Sequence, residues 1–243
     1  MHQARAARRG AANDPESRPS GEGSGLWRRW STACRMEAGA MTSIVAIEHM
    51  TLDGVYQAPA RADEDTRNGF AHGGWSNAGN DARMQEVIGR YMIGGWSLLA
   101  GRITYEDLYE GWAVRQPSSP MTQALTTVRK FVASRDAGYE LRWDNSTLLA
   151  GEAVETVRRL KQSHDRPLIL FGSGSLLRSL MRDALVEEVV LMMHPLILGE
   201  GLRLFETGSA LSKLRLSSQA TTETGVAILT YACAATHGPV LIS

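Results

Sequence analysis

The chain has 243 residues, which is long enough for one well-buried α/β domain and requires no second one. Its 26 Lys and Arg residues balance its 26 Asp and Glu residues, so bulk charge favours neither nucleic acid nor an anionic membrane as a partner. No apolar stretch approaches the roughly 20 residues that span a bilayer. A small-molecule partner is therefore expected. The distant Cys34 and Cys233 predict neither a metal site nor a disulfide framework, and they favour the cytoplasm.

The first forty residues differ from the rest of the chain. They are rich in Arg, Ala, Gly and Ser and show no sustained apolar periodicity. We predict a disordered extension over residues 1–40, with an upstream start before a natural beginning near Met41 as the alternative. The folded domain is predicted over residues 41–235 and a short tail over residues 236–243.

From Thr42 onward, strand and helix patterns alternate. Short apolar runs predict strands at residues 43–49, 96–100, 130–133, 146–149 and 167–171. Apolar residues at helical spacing predict three helices, which contain Met84, Val87, Ile88 and Tyr91, then Val154, Val157 and Leu160, then Leu176, Leu177, Leu180 and Met181. Asn80 is the candidate cap of the first helix. The long polar loop before it suggests a functional covering segment.

The pattern changes near the C-terminus. A long strand is predicted over residues 186–193, and residues 214–221 and 226–232 read as an antiparallel hairpin around residues 223–225. Strand–helix alternation that finishes in antiparallel strands predicts an α/β fold. Its sheet is mixed but mostly parallel, with antiparallel C-terminal strands and covering helices.

Two glycine-bearing turns each follow an apolar strand and lead into a helix. They are Gly101-Arg102-Ile103-Thr104-Tyr105 and Gly172-Ser173-Gly174-Ser175. Glycine lets the backbone approach an anion closely, and the first N–H groups of a helix have no partner within it. Thr104 and Asp107 also have the spacing of a capping box. Each turn alone is equally typical of an ordinary strand-to-helix connection, whereas two together favour a dinucleotide.

Five landmarks occur in an order that resembles the dihydrofolate reductase superfamily. They are Leu52-Asp53-Gly54, Gly101-Arg102-Ile103-Thr104-Tyr105-Glu106, Val132-Ala133-Ser134-Arg135, Gly172-Ser173-Gly174-Ser175-Leu176, and the run from His194 to Gly201 followed by Leu204-Phe205. The resemblance spans roughly residues 41–232 and is greatest to the branch that contains the reductase domain of the bifunctional riboflavin-biosynthesis deaminase-reductase. It implies a three-layer fold with helices on both faces of the sheet.

The resemblance also implies NADPH as the cofactor. The residues implied to hold it are Gly101, Arg102, Thr104, Ser134, Arg135, Gly172, Ser173, Gly174, Ser175 and Leu176. Arg135 would contact the 2′-phosphate, for which its fork of donors is suited, and a solvated surface arginine is the alternative. The zinc ligands of the deaminase half are missing from the sequence, so this is a reductase module alone.

Five further residues are candidates near the substrate. Asp53 is the catalytic candidate, as a polar contact to substrate or cofactor, with a turn aspartate as the alternative. Trp75 could stack on a planar heterocycle or pack on the core. Asp81 could recognise the substrate or stabilise a helix N-terminus. Glu200 is a weaker candidate for substrate contact, and His194 could donate a proton or be structural.

The resemblance implies direct hydride transfer, without metal or flavin, to a small polar heterocycle of the 5-amino-6-(5-phosphoribosylamino)uracil type. One alternative is a dihydrofolate or pterin reductase, and another is an NADP-binding module without turnover. A purely structural α/β domain would leave the ordered motifs unexplained. The resemblance further implies a homodimer.

Overall fold

The computed structural model describes residues 42–209 and 211–233. The predictions for residues 1–40 and 236–243, together with Cys34, lie outside this range. The described residues form eight strands: β1 (Ile44–Thr51), β2 (Ser97–Gly101), β3 (Arg129–Ser134), β4 (Ser146–Ala150), β5 (Leu168–Phe171), β6 (Glu188–His194), β7 (Leu214–Thr221) and β8 (Ala227–Cys233). They also form five α-helices: α1 (Ala82–Met92), α2 (Arg102–Leu108), α3 (Pro120–Thr127), α4 (Ala153–Ser163) and α5 (Gly174–Arg182).

All eight strands join one mixed sheet in the order β4-β3-β2-β5-β1-β6-β8-β7. The first six strands in this order, from β4 to β6, are parallel to one another, while β8 is antiparallel to both β6 and β7. The predicted mixed sheet with antiparallel C-terminal strands is therefore confirmed. Because parallel strands share one direction, β1, β2, β3 and β5 present their carboxyl ends at the same edge.

The central strands β1, β2, β5 and β6 are buried on both faces, as expected for parallel strands covered by helices. Alternate residues of β1 enter different cores: Ile44 and Ala46 face α4 and α5, whereas Val45 and Ile47 face α1 and α3. The helices contribute the apolar stripes that their spacing predicts. These are Met84 and Val87 on α1, Val157 and Leu160 on α4, and Leu176, Leu177 and Leu180 on α5.

Two predicted caps are wrong. The side chain of Asp81, not Asn80, caps α1 and accepts a hydrogen bond from the Arg83 N–H at 2.6 Å. Helix α2 begins directly at Arg102 with Gly101 as its N-cap, so Thr104 lies inside the first turn and does not start a capping box.

The sequence prediction also left out the segment between α2 and β3. There Tyr109–Val114 forms a π-helical turn, and α3 begins at Pro120 behind the N-cap Ser119, whose hydroxyl accepts from the Met121 N–H. Its apolar residues are too few to give a clear helical period.

The long loop after β1 is ordered by a small core of its own. Val55, Ala58 and Phe70 are buried together, with Trp75 and Leu198 packed against them. Short 3₁₀ turns at Arg67–Gly69 and Asn77–Gly79 interrupt it. No helix among the described residues has the length and apolar character needed to cross a bilayer.

Candidate active site

A cleft of about 790 Å³ runs along the carboxyl ends of β1, β2, β3 and β5. In open α/β sheets this edge is where ligands bind. All ten residues that the sequence singled out for the cofactor line this one cleft: Gly101, Arg102, Thr104, Ser134, Arg135, Gly172, Ser173, Gly174, Ser175 and Leu176. The fold thus brings together three turns that are far apart in the sequence.

Direct hydrogen bonds hold the two glycine turns together. The Gly101 N–H donates to Ser173 Oγ at 3.1 Å, and Ser173 Oγ in turn donates to the Phe171 carbonyl at 3.2 Å. Thr104 Oγ1 donates to the Gly172 carbonyl at 3.1 Å. The Thr104 side chain therefore joins the two turns and does not cap the helix. The two turns therefore form one rigid platform.

The glycines of this platform have different reasons to be glycine. Gly172 has a φ of +58°, a backbone conformation that residues with a side chain rarely adopt. A Cβ on Gly174 would lie 2.6 Å from the Tyr56 ring, so packing requires a glycine there. Gly101 has an ordinary φ of −74°, and a Cβ would come no closer than 3.9 Å to Ser173 Oγ. Neither backbone nor packing requires glycine at 101, so the open space beside it is the feature that a ligand would use.

The same wall of the cleft is electropositive. Helices α2, α4 and α5 all begin at the cleft, and the first N–H groups of each helix have no acceptor within it. The Arg102 guanidinium lies 5.7 Å from the centre of the Tyr139 ring. Arg135 is 88% exposed, and its closest ion-pair contact is 3.8 Å to Glu152. Both arginines can therefore turn toward an anion at little cost.

The opposite part of the cleft is apolar with a few polar groups. Its apolar lining comes from β1, β5 and the helices α1, α2 and α3 with the π-helical turn, namely Ile47, Phe171, Ile88, Leu108, Trp112, Met121 and Leu125. The polar groups include His49 and Asp107. A planar ring that carries a few hydrogen-bonding groups is the kind of molecule that such a wall accommodates.

Asp107 on α2 belongs to a group of charges at this end. Burial, and then the nearby Glu64, raise the pKa of Asp107 to about 7. Arg61 donates to the Asp107 carbonyl at 3.2 Å and lies 3.7 Å from its carboxylate. Burial also raises the pKa of Glu64, although its carboxylate accepts from the N–H groups of Ala60 and Arg61. Near neutral pH, Asp107 can therefore either accept or donate a hydrogen bond.

His49 and His194 form a hydrogen-bonded pair at the end of β1 and β6. His49 Nδ1 and His194 Nε2 are 2.9 Å apart, and the Trp75 ring packs edge-on against His194. Burial lowers the pKa of each histidine to about 4, with the neighbouring His194 as a second cause for His49. Both rings are neutral at physiological pH. His194 is fully buried, and only His49 lines the cleft.

The sequence reasoning missed Glu48. It is 1% exposed, it lines the cleft, and neither carboxyl oxygen has a hydrogen-bond partner among the described residues. Burial raises its pKa to about 8, which the Ser173 backbone and the positive charge of Arg178 offset only in part. The available signal was a lone carboxylate directly after the apolar run of residues 44–47 in the same strand.

Asp53 and Trp75 do not line the cleft. The Asp53 carboxylate accepts from Thr51 Oγ1 at 2.6 Å and from the Gly199 N–H at 2.9 Å. Those hydrogen bonds lower its pKa. Trp75 Nε1 donates to the Gln57 carbonyl at 2.7 Å. Asp53 thus joins two loops, and Trp75 joins two parts of the loop after β1.

Asp81 and Glu200 also lie away from the cleft. Besides capping α1, Asp81 accepts from the Glu223 N–H at 3.2 Å and so ties the helix to the hairpin turn. Glu200 is exposed and lies 3.3 Å from His72 Nε2. No cluster of three or more possible metal-ligating side chains occurs within residues 42–209 and 211–233.

Comparisons with known proteins agree with this architecture. Residues 42–228 match the model of the RibD C-terminal domain. The uncharacterised protein YyaP of Bacillus subtilis strain 168 is 30% identical over 141 residues, which cover 56% of this chain and 72% of YyaP.

Two solved structures share the fold at low identity. A proposed riboflavin biosynthesis protein from Shewanella sp. PV-4 has a TM-score of 0.56 at 17% identity, covering 79% of this chain and 99% of that one. Dihydrofolate reductase from Enterococcus faecalis, solved with NADP(H) and RAB-propyl, has a TM-score of 0.51 at 12% identity, covering 79% and 96%. The fold is thus that of dihydrofolate reductase, and the extent of the match shows that the chain belongs to the RibD C-terminal domain family.

Proposed function

We propose that this protein is an NADPH-dependent reductase that acts on a small polar heterocycle. The observation that carries the proposal is the hydrogen-bonded pair of glycine turns, which opens with Arg102 and Arg135 onto a single cleft. The cleft volume of about 790 Å³ lies in the upper part of the range of roughly 300–1,000 Å³ that is usual for ligand sites. A dinucleotide and a small substrate together would need a site of this size.

The residues present suit a phosphorylated dinucleotide. The open space at Gly101 and the N–H groups at the start of α2 and α5 fit a pyrophosphate. Ser134 ends β3, one strand farther along the edge, and Arg135 follows it, where its exposed side chain can bind a 2′-phosphate. NADPH bound there supplies a hydride from its nicotinamide ring. NADP(H) in the enterococcal dihydrofolate reductase structure supports the same assignment.

The apolar wall of the cleft is proposed to hold the substrate ring. Asp107 and Glu64 lie at its polar end, and Arg61 is already engaged by Asp107. Carboxyl groups suit ring amino groups, and an amino-substituted pyrimidine such as 5-amino-6-(5-phosphoribosylamino)uracil carries them. The neutral His49 ring borders this space and can donate a hydrogen bond to a substrate heteroatom as the hydride is transferred. A pterin offers similar groups and is the second candidate.

Calorimetric titration of the full chain with NADPH and, in parallel, NADH tests the cofactor assignment. We expect tight binding of NADPH and much weaker binding of NADH. Failure of both to bind would overturn the proposal. The loss of NADPH absorbance is then followed with a panel of aminopyrimidines and pterins. Binding without consumption across the panel would favour the alternative of an NADP-binding module without turnover.

The homodimer and the cytoplasmic location expected from the sequence belong to this proposal as well. Sedimentation of the full chain at several concentrations tests the first. A protein that is monomeric at all concentrations would contradict the proposed dimer without affecting the cofactor assignment.

A further inference from the structure

Glu48 is the most unusual polar group of the cleft. It lies in β1, which has a parallel strand on each side, and it is 1% exposed with no hydrogen-bond partner among the described residues for either carboxyl oxygen. Buried polar side chains nearly always have such a partner, so an unpartnered carboxyl that borders a cleft points to a ligand that completes it. No other buried carboxyl group without a hydrogen-bond partner is found in the described part of the chain.

The neighbouring cation does not fill this role. The Ser173 N–H and the charge of Arg178 on α5 lower the pKa of Glu48 without overcoming the effect of burial, and neither group forms a hydrogen bond with its carboxyl. The Arg178 guanidinium is held elsewhere. It donates to the carbonyls of Arg203 and Leu204 at 3.1 and 3.2 Å and pairs with Glu206 at 2.7 Å. Without a counter-ion, the buried carboxyl holds its proton at neutral pH. It therefore offers one O–H donor and one carbonyl acceptor side by side.

The sheet topology places Glu48 at a definite point along the cleft. The last parallel pair between β1 and β5 joins Ile47 to Phe171, so Glu48 lies where β5 turns away toward α5 through Gly172. Along the edge the order is β3, β2, β5 and β1. Neighbouring strands are about 4.8 Å apart, so about 14 Å separate the ends of β3 and β1.

A dinucleotide laid along this edge reaches Glu48 with its nicotinamide half. The 2′-phosphate at Arg135 and the pyrophosphate at the glycine turns use the ends of β3, β2 and β5, and β1 comes next. Glu48 shares its face of the sheet with Ala46 and Met50 and turns toward α5. His49 and the apolar substrate wall lie on the other face.

We propose that the Glu48 carboxyl binds the carboxamide of the nicotinamide ring. Its O–H donates to the carboxamide oxygen, and its carbonyl oxygen accepts from the carboxamide N–H. The two groups are complementary, since each has one donor and one acceptor at the same spacing. Glu48 is thus a positioning residue that sets the orientation of the ring against the substrate. This inference rests on the proposed function.

Titrating the full chain with NADPH and with 2′-phospho-ADP-ribose, which lacks the nicotinamide, tests the contact. Glu48→Met replaces the carboxyl by an apolar group of similar length. We expect it to weaken NADPH binding by about tenfold to a hundredfold, the effect of losing both hydrogen bonds, and to leave 2′-phospho-ADP-ribose within twofold. Glu48→Gln keeps a donor and an acceptor and should stay within about threefold for both ligands.

The control ligand separates the possible failures. Retained binding of 2′-phospho-ADP-ribose shows that a variant has folded with its cleft intact, and Glu48→Ala repeats the comparison if Glu48→Met does not fold. Equal effects of Glu48→Met on the two ligands, or no effect on either, would overturn this inference alone. A wild-type chain that binds neither ligand would overturn the proposed function, and this inference with it.

Discussion

The two sides of the cleft are built in different ways. The turn side, formed by residues 101–104, 134–135 and 172–176, presents short turns at strand ends, where Gly101 has open space beside it and two exposed arginines can reach a ligand. The loop side lines the cleft with residues 56–61, 64, 65 and 67, and the polar side chains behind them hold the loops together: Asp53 and Trp75 bond to loop backbone. We therefore expect a candidate residue on the turn side to contact the ligand and one on the loop side to stabilise the loops.

Glu48 lies between the two sides, and its substitution gives the largest expected change in stability. Burial raises its pKa from 4.5 to about 8, so the unfolded chain loses this proton first as the pH rises. The free energy of unfolding should therefore fall between pH 4.5 and 8, by at most about 1.4 kcal/mol per pH unit from this group.

Glu48→Gln removes this loss because an amide does not ionise. Without ligand, the variant should be more stable than the wild type at pH 8 by about 3–4 kcal/mol and should be similar to it at pH 5. Urea denaturation at the two pH values measures the difference. The exposed Glu140→Gln is the matched control and should show no such trend. A Glu48→Gln variant that is no more stable at pH 8 would show that Glu48 is ionised in the folded protein.

The turn side is tested most severely at Gly101. Gly101→Val should reduce NADPH affinity by about a hundredfold or more, because the side chain fills the space reserved for the pyrophosphate. Since φ is −74° and the nearest atom to a Cβ is 3.9 Å away, the free energy of unfolding should change by less than about 1 kcal/mol. Calorimetry and urea denaturation measure the two quantities.

Gly174→Ala is the contrasting variant. Its Cβ would lie 2.6 Å from the Tyr56 ring, so it should destabilise the fold by about 1–3 kcal/mol. If Gly101→Val destabilised the protein as much as Gly174→Ala does, the open space at Gly101 would have a structural and not a ligand-binding role.

Arg135 should show the selectivity of the turn side. Arg135→Ala is expected to weaken NADPH binding by about tenfold to a hundredfold, through loss of charge-assisted hydrogen bonds, and to leave NADH binding within twofold. Arg129→Ala is the matched control, because Arg129 is also exposed and lies at the opposite end of β3 from Arg135. Equal losses of NADPH and NADH affinity would show that Arg135 does not contact the 2′-phosphate.

The loop side should respond in the opposite manner. Asp53→Ala loses hydrogen bonds from Thr51 Oγ1 and from the N–H groups of Leu198 and Gly199, which should lower the free energy of unfolding by about 1–2 kcal/mol. NADPH affinity should stay within twofold. A variant of normal stability that no longer binds NADPH or turns over substrate would return Asp53 to the active site.

The sequence predicted what depends on neighbours in the chain. The order of strands and helices follows from apolar periodicity, and the turns after β2, β3 and β5 could be recognised from short motifs of adjacent residues: Gly101-Arg102, Ser134-Arg135 and Gly172-Ser173-Gly174. The pairing of Gly101 with Ser173 could not be predicted, since it joins residues 72 positions apart. Glu48 was missed for a similar reason: a single carboxylate in a strand becomes unusual only when the covering helix leaves it without a partner.

Amide hydrogen exchange of the full chain, with and without saturating NADPH, tests directly whether the three turns hold the cofactor. We predict slower exchange in the peptides that contain residues 101–104, 134–135 and 172–176, because bound phosphates occupy the amides at these turns and restrict their opening. NADPH binding that leaves all three turns unprotected would contradict it.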